Sequence, residues 1–482
     1  MEAGEGSASA TIEIEPEEEK KPVTVRIALF YDGTLNNRVN IGERESDSEV
    51  YKEFRKENEP TSYDNGRTNI AIMEPHLQKK ADGYEVCLKS YIEGQGTIDL
   101  EGDSFKGYAL GGGISGVADR ADEGIKRAVN LITDSDKIDS LKHYINKLTI
   151  DVFGFSRGAA TARYAIHVLF DGRIAGVNQY TGELLYEFKP IHTRLSNRGY
   201  DIAPKVVEVC FAGLYDTVLS YYGSQYFKFT SNVLQQKAVA RAKKVLHLAA
   251  ADEHRKDFPL HNIKSAKSKG GEEYFLPGVH SDIGGSYNQA NEKELQAETD
   301  ETKKVYMLTT DENMVILRGR PDMVEQDRDY LKDQGWYKDD QIKILAIKSS
   351  RGGRMAKLKV DRRNIHSSYC NIPLKIMAKY ARDKEVKLKI NVKLEDRANT
   401  ILEPEEDLKN LEGIINGYIA SNKNSKPGDW INDDAPLNTA QLKKIRNKHF
   451  HFSSKPGAGY APRIVKDKAT KKYRRIRYVY DA

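Results

Sequence analysis

The chain has 482 residues, 39% hydrophobic and 30% charged, with a formal net charge of +5 at pH 7. That length exceeds a minimal domain and fits one elaborated α/β domain with insertions. No apolar run approaches about 18 residues, which excludes a membrane-spanning helix, and three scattered cysteines, Cys87, Cys210 and Cys370, argue against a disulfide framework or a Cys-built zinc site.

Residues 1–20 are acidic (Glu13, Glu15, Glu17, Glu18, Glu19) and poor in large apolar groups, so a disordered tail is expected. No basic-then-apolar segment is seen there, so no secretory signal is expected. Val23–Phe30 turns from alternating to continuously apolar and predicts the first strand. It runs into Tyr31-Asp32-Gly33-Thr34-Leu35. D-G-T-L after a strand raises a haloacid-dehalogenase-type phosphatase, but that chemistry needs an Asp two residues before Asp32, and Phe30 stands there. The loop is instead a tight turn whose N–H groups, at Gly33 or Thr34, could face a nucleophile.

Arg38–Asp64 is polar and weakly periodic and reads as a surface loop. Asn69–Leu77 predicts a helix. Leu88–Gly96 ends in Gly94-Gln95-Gly96-Thr97. The glycine-dense run Gly107–Gly116 predicts a loop with positive φ near a substrate, but no G-K-[ST] follows, so it is not a P-loop. Ala121–Ile132 predicts a helix.

The organising stretch is Leu148–Phe170. Leu148–Phe153 is a buried strand by pattern, and Arg157–Phe170 a helix with Ala162, Ile166 and Leu169 on one face. Between them lies Gly154-Phe155-Ser156-Arg157-Gly158, a G-x-S-x-G motif. A nucleophile at a strand-to-helix apex is held in a strained backbone, and its neighbours two residues away must be small. Helix N-terminal N–H groups, that of Arg157 first, then stabilise negative charge beside it.

Val206–Leu214, Lys244–Ala250 and Tyr274–Val279 are further apolar strand candidates, as expected for a sheet buried on both faces. They deliver Asp216, then Asp252-Glu253, then His280-Ser281-Asp282. The order Ser156, Asp216, His280 is that of an α/β-hydrolase triad, whose members gather outside the strand carboxyl ends. Asp282 rivals Asp216, though two residues from His280 it is better placed to shape the loop. His451 is the reserve base.

These motifs occur together in a known order: Tyr31-Asp32-Gly33-Thr34, Thr68-Asn69, Gly96-Thr97, Gly154-Phe155-Ser156-Arg157-Gly158-Ala159-Ala160, Asp216-Thr217-Val218, Asp252-Glu253 and Gly278-Val279-His280-Ser281-Asp282-Ile283-Gly284-Gly285. They resemble the domain of unknown function 2235 family, which includes the first class of type VI secretion lipase effectors. The resemblance covers roughly Val23–Tyr287 and resumes at Asn371–Ala381 and at His451–Arg463. It implies Ser156 as nucleophile, Asp216 as acid and His280 as base, in a phospholipase exported into rival bacteria. It also implies a spike protein and an immunity protein as partners, and a phospholipid membrane surface as substrate. Tyr215 stands where the family has Trp, and His254 displaces its Arg to Arg255. The long C-terminal membrane-anchoring domain of some effectors is not expected.

Asn288–His366 reads as an insertion. Val305–Leu308, Met314–Leu317, Ile342–Ile347 and Ala356–Val360 are its strand candidates and Asp327–Gly335 its helix, forming a small β-rich subdomain that is either a lid or a surface decoration. Asn371–Arg382 and Leu408–Ile419 predict helices, and Val386–Val392 a strand. His449-Phe450-His451 raises a metal only weakly, with no carboxylate or Cys nearby in sequence; it reads as a loop or strand His pair, and no metal site is expected. The basic run Lys471–Tyr478 reads as a solvated tail, with an anionic-surface contact as its alternative.

The expected fold is an α/β-hydrolase-like three-layer sandwich with a mostly parallel sheet. The expected domains are a tail at 1–20, a catalytic core at 21–290, an inserted subdomain at 291–368, and a C-terminal part at 369–482 packed on the core. The expected function is serine-dependent ester hydrolysis of phospholipid acyl chains, with Asp32, Asp282, Gly154 and Gly158 supporting the site. No cofactor is required, although Asp32 or Asp282 could hold calcium without any Ca²⁺-loop spacing. No nucleic acid is expected as partner. The alternatives are action on non-lipid esters or acyl transfer, a non-catalytic binding protein on the same fold, and a nucleic-acid binder that uses the basic C-terminus.

Overall fold

The structure is a computed structural model and describes residues 19–55, 61–103, 116–177, 184–219, 234–287, 309–348, 354–422, 425–430, 436–437, 439–457 and 459–482. Its centre is a seven-stranded sheet. The strands are β1 (Lys21–Tyr31), β2 (Val86–Ile92), β3 (His143–Phe155), β4 (Asp201–Ile202), β5 (Val207–Tyr215), β6 (Lys244–Ala250) and β7 (Glu272–Leu276). Their order is β7-β6-β5-β3-β1-β2, with β4 beside the start of β3, and every pair is parallel. Parallel neighbours need crossovers, and these carry the helices α3 (Asn69–His76), α4 (Val117–Thr133) and α5 (Arg157–Asp171).

Side chains alternate across the sheet, so one strand feeds two cores. Val25, Ile27, Leu29, Ile150 and Val152 pack with Ala121 and Ile125 of α4 and with Ala162 and Ile166 of α5. Ala28, Phe30, Phe153, Phe155, Phe211 and Tyr215 face the other way, towards Ile70 and Met73 of α3. Phe30 and Phe153 stack with ring centroids 4.5 Å apart. Burying each such side chain is worth about 1.5–3 kcal/mol.

The insertion forms an antiparallel sheet of β8 (Thr309–Gly319), β9 (Ile342–Lys348) and β10 (Arg354–His366), in the order β8-β10-β9, with a helix at Pro321–Asp333. Among the described residues it has no core of its own: Ile316, Leu358 and Val360 belong to the same apolar cluster as Phe155 and Tyr215. The C-terminal helices Asn371–Arg382, Lys393–Leu402, Glu406–Ser421 and Thr439–His449 add Met377, Leu408, Leu411, Leu442 and Ile445 to it. Buried Arg362 joins the pieces, donating to Glu312 Oε2 at 2.9 Å and to the Phe450 carbonyl at 2.8 Å.

Three expectations need correcting. Arg38–Asp64 contains two helices, Arg38–Glu45 and Glu49–Phe54. Their apolar periodicity is weak, but Asn37 and Ser48 cap them, each accepting from the first-turn N–H groups. Val386–Val392 is not a strand and makes only an isolated bridge, Leu77 to Ile390. Its alternation arises because Val386, Leu388 and Ile390 pack into the core. The basic C-terminal run is not a solvated tail. Val479–Tyr480 pairs with Leu260–His261, and Arg475 donates to both carboxylate oxygens of Asp327 at 2.8 and 2.7 Å. The predicted strand over Val305–Leu308, the glycine-dense run up to residue 115, and residues 1–18 lie outside the described residues.

Candidate active site

β3 ends at Phe155 and α5 begins at Arg157, leaving Ser156 at the apex with φ 59° and ψ −127°. Positive φ in a non-glycine residue is strained and persists only where its surroundings enforce it. Here Ser156 N–H donates to the Tyr215 carbonyl at 3.0 Å, locking the turn to the end of β5. A Cβ on Gly154 would lie 2.5 Å from the Gly158 carbonyl oxygen, and one on Gly158 only 2.3 Å from that of Asp32. Both glycines are therefore steric requirements of the turn.

Asp216 follows β5 directly, itself at φ 41°. His280 opens the one-turn helix His280–Gly284 after β7. The parallel sheet delivers all three side chains to the same rim. His280 Nε2 lies 2.8 Å from Ser156 Oγ, and Nδ1 lies 2.5 Å from Asp216 Oδ2. An acceptor-only carboxylate places the proton on Nδ1, so the hydroxyl donates to Nε2. Phe155 and Phe258 flank the imidazole at 4.6 and 5.0 Å between centroids. Ser156 is 5% exposed, His280 4% and Asp216 0%.

Burial pushes the His280 pKa below its ordinary 6.5, and this outweighs the opposing pull of Asp216. The ring thus rests neutral near pH 7. Burial alone would raise the pKa of Asp216, but the charge of Arg477 and the hydrogen bonds from His280 and Arg477 hold it well below the usual carboxylate range. Arg477 donates from Nη1 to Oδ1 at 2.7 Å and from Nη2 to Oδ2 at 2.8 Å, and Ala250 N–H donates to Oδ1 at 2.8 Å. By sequence Arg477 belongs to a basic run that reads as a solvated tail. Nothing local separates it from Arg474; the pairing of Val479–Tyr480 with Leu260–His261 sets it in place.

The candidate oxyanion residues also meet. Arg157 Nε donates to Thr34 Oγ1 at 2.6 Å. Gly33 N–H is already spent on Asp32 Oδ1 at 2.7 Å. Thr34 N–H has no hydrogen-bond partner among the described residues, so of the two loop donors it is the better candidate. Asp32 also accepts from Thr68 Oγ1 at 2.7 Å and Tyr91 OH at 2.6 Å. Burial raises its pKa to about 6 against these hydrogen bonds. Its oxygens shape the loop.

Asp282 is not beside Ser156. It accepts from Val279 N–H at 2.9 Å, closing the turn that carries His280, and from His451 Nδ1 at 2.8 Å. His451, the reserve base, lies elsewhere: its Nε2 is 2.8 Å from Thr310 Oγ1, and its ring stacks on Tyr287 at 3.5 Å. Glu253 was present in the motifs without a role. It accepts from Arg255 at 3.0 and 2.9 Å, from Ser453 Oγ, and from His280 N–H at 3.3 Å. Burial opposes its ionisation, yet Arg255 holds it well below the ordinary range. It anchors the His280 backbone from behind.

Among the described residues, no helix is long and apolar enough to cross a membrane. The family model described as "T6SS, Phospholipase effector Tle1-like, catalytic domain" matches residues 26–309. No curated protein matches the chain. Among solved structures, one of the Tle1 effector bound to the VgrG spike from the type 6 secretion system is 20% identical, with TM-score 0.57. That match covers 99% of this chain and 98% of that one, so the likeness of fold extends through the insertion and the C-terminal helices. An uncharacterized protein from Pseudomonas aeruginosa is 16% identical over 86% of this chain and 52% of its own, with TM-score 0.44. A strand-to-helix turn at Ser156 on a parallel sheet, with a matching family model over most of the sheet, places the chain in the Tle1-like phospholipase effector family of the type VI secretion system.

Proposed function

We propose that the chain is a serine phospholipase of the A type that releases fatty acid from membrane phospholipids. The observation that carries this is the relay Ser156 Oγ–His280 Nε2 at 2.8 Å with Asp216 on Nδ1 at 2.5 Å. His280 takes the proton as Ser156 Oγ attacks the ester carbonyl. Asp216 fixes the tautomer and stabilises the imidazolium. The tetrahedral oxyanion is held by the N–H groups of Arg157 and Thr34. Collapse expels the lysolipid alcohol, which takes its proton from His280, and leaves an acyl-Ser156. His280 then activates water, and the acid departs. No step calls for a cofactor, because N–H donors meet the developing charge.

The family and the spike-bound solved structure support an effector delivered on a secretion spike; a rival cell as target and an immunity protein that protects the producer complete the proposal. Two experiments test the reading. A fluorophosphonate probe labels Ser156 in folded protein and not the Ser156→Ala variant. Bacterial lipid extract yields free fatty acid with the wild type only. Labelling without fatty-acid release would redirect the assignment to non-lipid esters. Absence of labelling would make the chain a binding protein.

A further inference from the structure

His449 is fully buried, and neither of its ring nitrogens has a hydrogen-bond partner among the described residues. A polar ring that has given up water without a replacement needs a reason. Its neighbours supply one. The ring stands edge-on to His366, with centroids 5.3 Å apart. His366 Nδ1 touches Glu405 Oε1, while Lys448 Nζ donates to Glu405 Oε2 at 2.8 Å. One donor atom from each of His366, Glu405 and His449 lies within 4.8 Å of the others, and all three residues are buried.

Two imidazole nitrogens and one carboxylate oxygen form a donor set suited to zinc. Calcium and magnesium prefer all-oxygen shells. Zn–N and Zn–O bonds of about 2.0–2.2 Å set tetrahedral donors roughly 3.4 Å apart, so the cluster closes with side-chain shifts of about an ångström. Lys448 orients the carboxylate and leaves Oε1 for the ion. We propose that His366, Glu405 and His449 bind one zinc ion, with water as fourth ligand, as a structural staple.

The staple joins three remote segments: the end of β10, the residue before the helix Glu406–Ser421, and the last residue of Thr439–His449. Two positions after His449, His451 hydrogen-bonds Asp282, which closes the turn carrying His280. The ion would therefore brace the chain that backs the base loop. The adjacent pair His449 and His451, suggestive in sequence as one site, divides between two tasks.

The test uses the full chain, purified without chelator. The expected result is about one zinc per chain by elemental analysis, lost on chelation and regained on titration with zinc alone, with a melting temperature that rises on reloading. Cobalt(II) put in its place gives visible d–d absorption. His449→Gln and Glu405→Gln lower zinc content at least about tenfold, while Ser156→Ala retains it. Folded wild type that takes up no zinc at micromolar free ion overturns the proposal, as does a His449→Gln variant that keeps the full equivalent. Should the variants fail to fold, the wild-type uptake stoichiometry and the cobalt spectrum decide the matter, and an uptake without nitrogen-ligated absorption counts against it.

Discussion

Arg477 grips both carboxylate oxygens of Asp216, at 2.7 and 2.8 Å, while Asp216 Oδ2 also faces His280 Nδ1 at 2.5 Å. A single buried anion is thus shared between a permanent cation and the ring that must become one. Replacing Arg477 by Met leaves Asp216 buried with a broken ion pair, at a cost of about 3–5 kcal/mol. It also turns the whole anionic charge on His280, raising that ring's pKa. The expected outcome is a lower melting temperature together with an acid limb of kcat/KM moved to higher pH. Arg477→Lys should recover part of both.

The acid limb of the wild type is a separate prediction. The proposed reaction needs neutral His280, and burial holds its pKa below 6.5. Turnover of a short soluble ester should therefore be flat through neutral pH and fall only below 6.5, as the ring takes a proton. Stability has the same sign. Asp216 and Glu253 titrate lower in the fold than in the unfolded chain, so their contribution is full above the ordinary carboxylate range. It is lost as pH falls through their folded values, which acid unfolding would display.

Gly158→Ala should disable the turn. The added methyl would meet the backbone oxygens of Asp32 and Tyr31 at 2.3 and 2.4 Å. Overpacking of this kind costs about 1–3 kcal/mol when neighbours can shift, and backbone yields less than a side chain. A fallen melting temperature and lost fluorophosphonate labelling are expected together. Gly413→Ala, on an open helix surface, should do neither.

Asp32→Ala removes the acceptor for Gly33 N–H, Thr68 Oγ1 and Tyr91 OH at once. The loop that aims Thr34 loses its tether. If Thr34 N–H serves the oxyanion, kcat should fall by up to about 100-fold with KM little changed. Equal loss in binding and turnover would assign Asp32 to general folding instead.

Deleting residues 291–364 distinguishes a lid from scaffold. Ile316, Leu358 and Val360 share one apolar cluster with Phe155 and Tyr215. Their removal uncovers that face of the catalytic sheet, so the truncated chain should be insoluble or lack cooperative unfolding. A soluble variant with full turnover of a short ester would overturn the scaffold reading; activity lost on micelles would then argue for a lid, and activity kept on micelles for a surface decoration.

The elbow was legible because its signals are local: an apolar strand, small residues two positions either side of Ser156, and an alanine-rich helix. Asp216 and His280 were legible because a parallel sheet sends successive strand ends to one rim. Arg477 was not, since its role depends on pairing between Val479–Tyr480 and Leu260–His261, which no spacing reveals. Val386–Val392 misled for the opposite reason. Its alternation records real burial, but burial without a partner strand is not a sheet. The insertion's strands were visible, whereas their merger with the main core was not, because apolar residues do not state which face they will meet.

Asp216 and Arg477 lie 261 positions apart along the polymer. Translation therefore delivers hydroxyl, carboxylate and imidazole well before the guanidinium that clamps them. A nascent chain passes through a long interval in which the candidate triad exists and its electrostatic keystone does not.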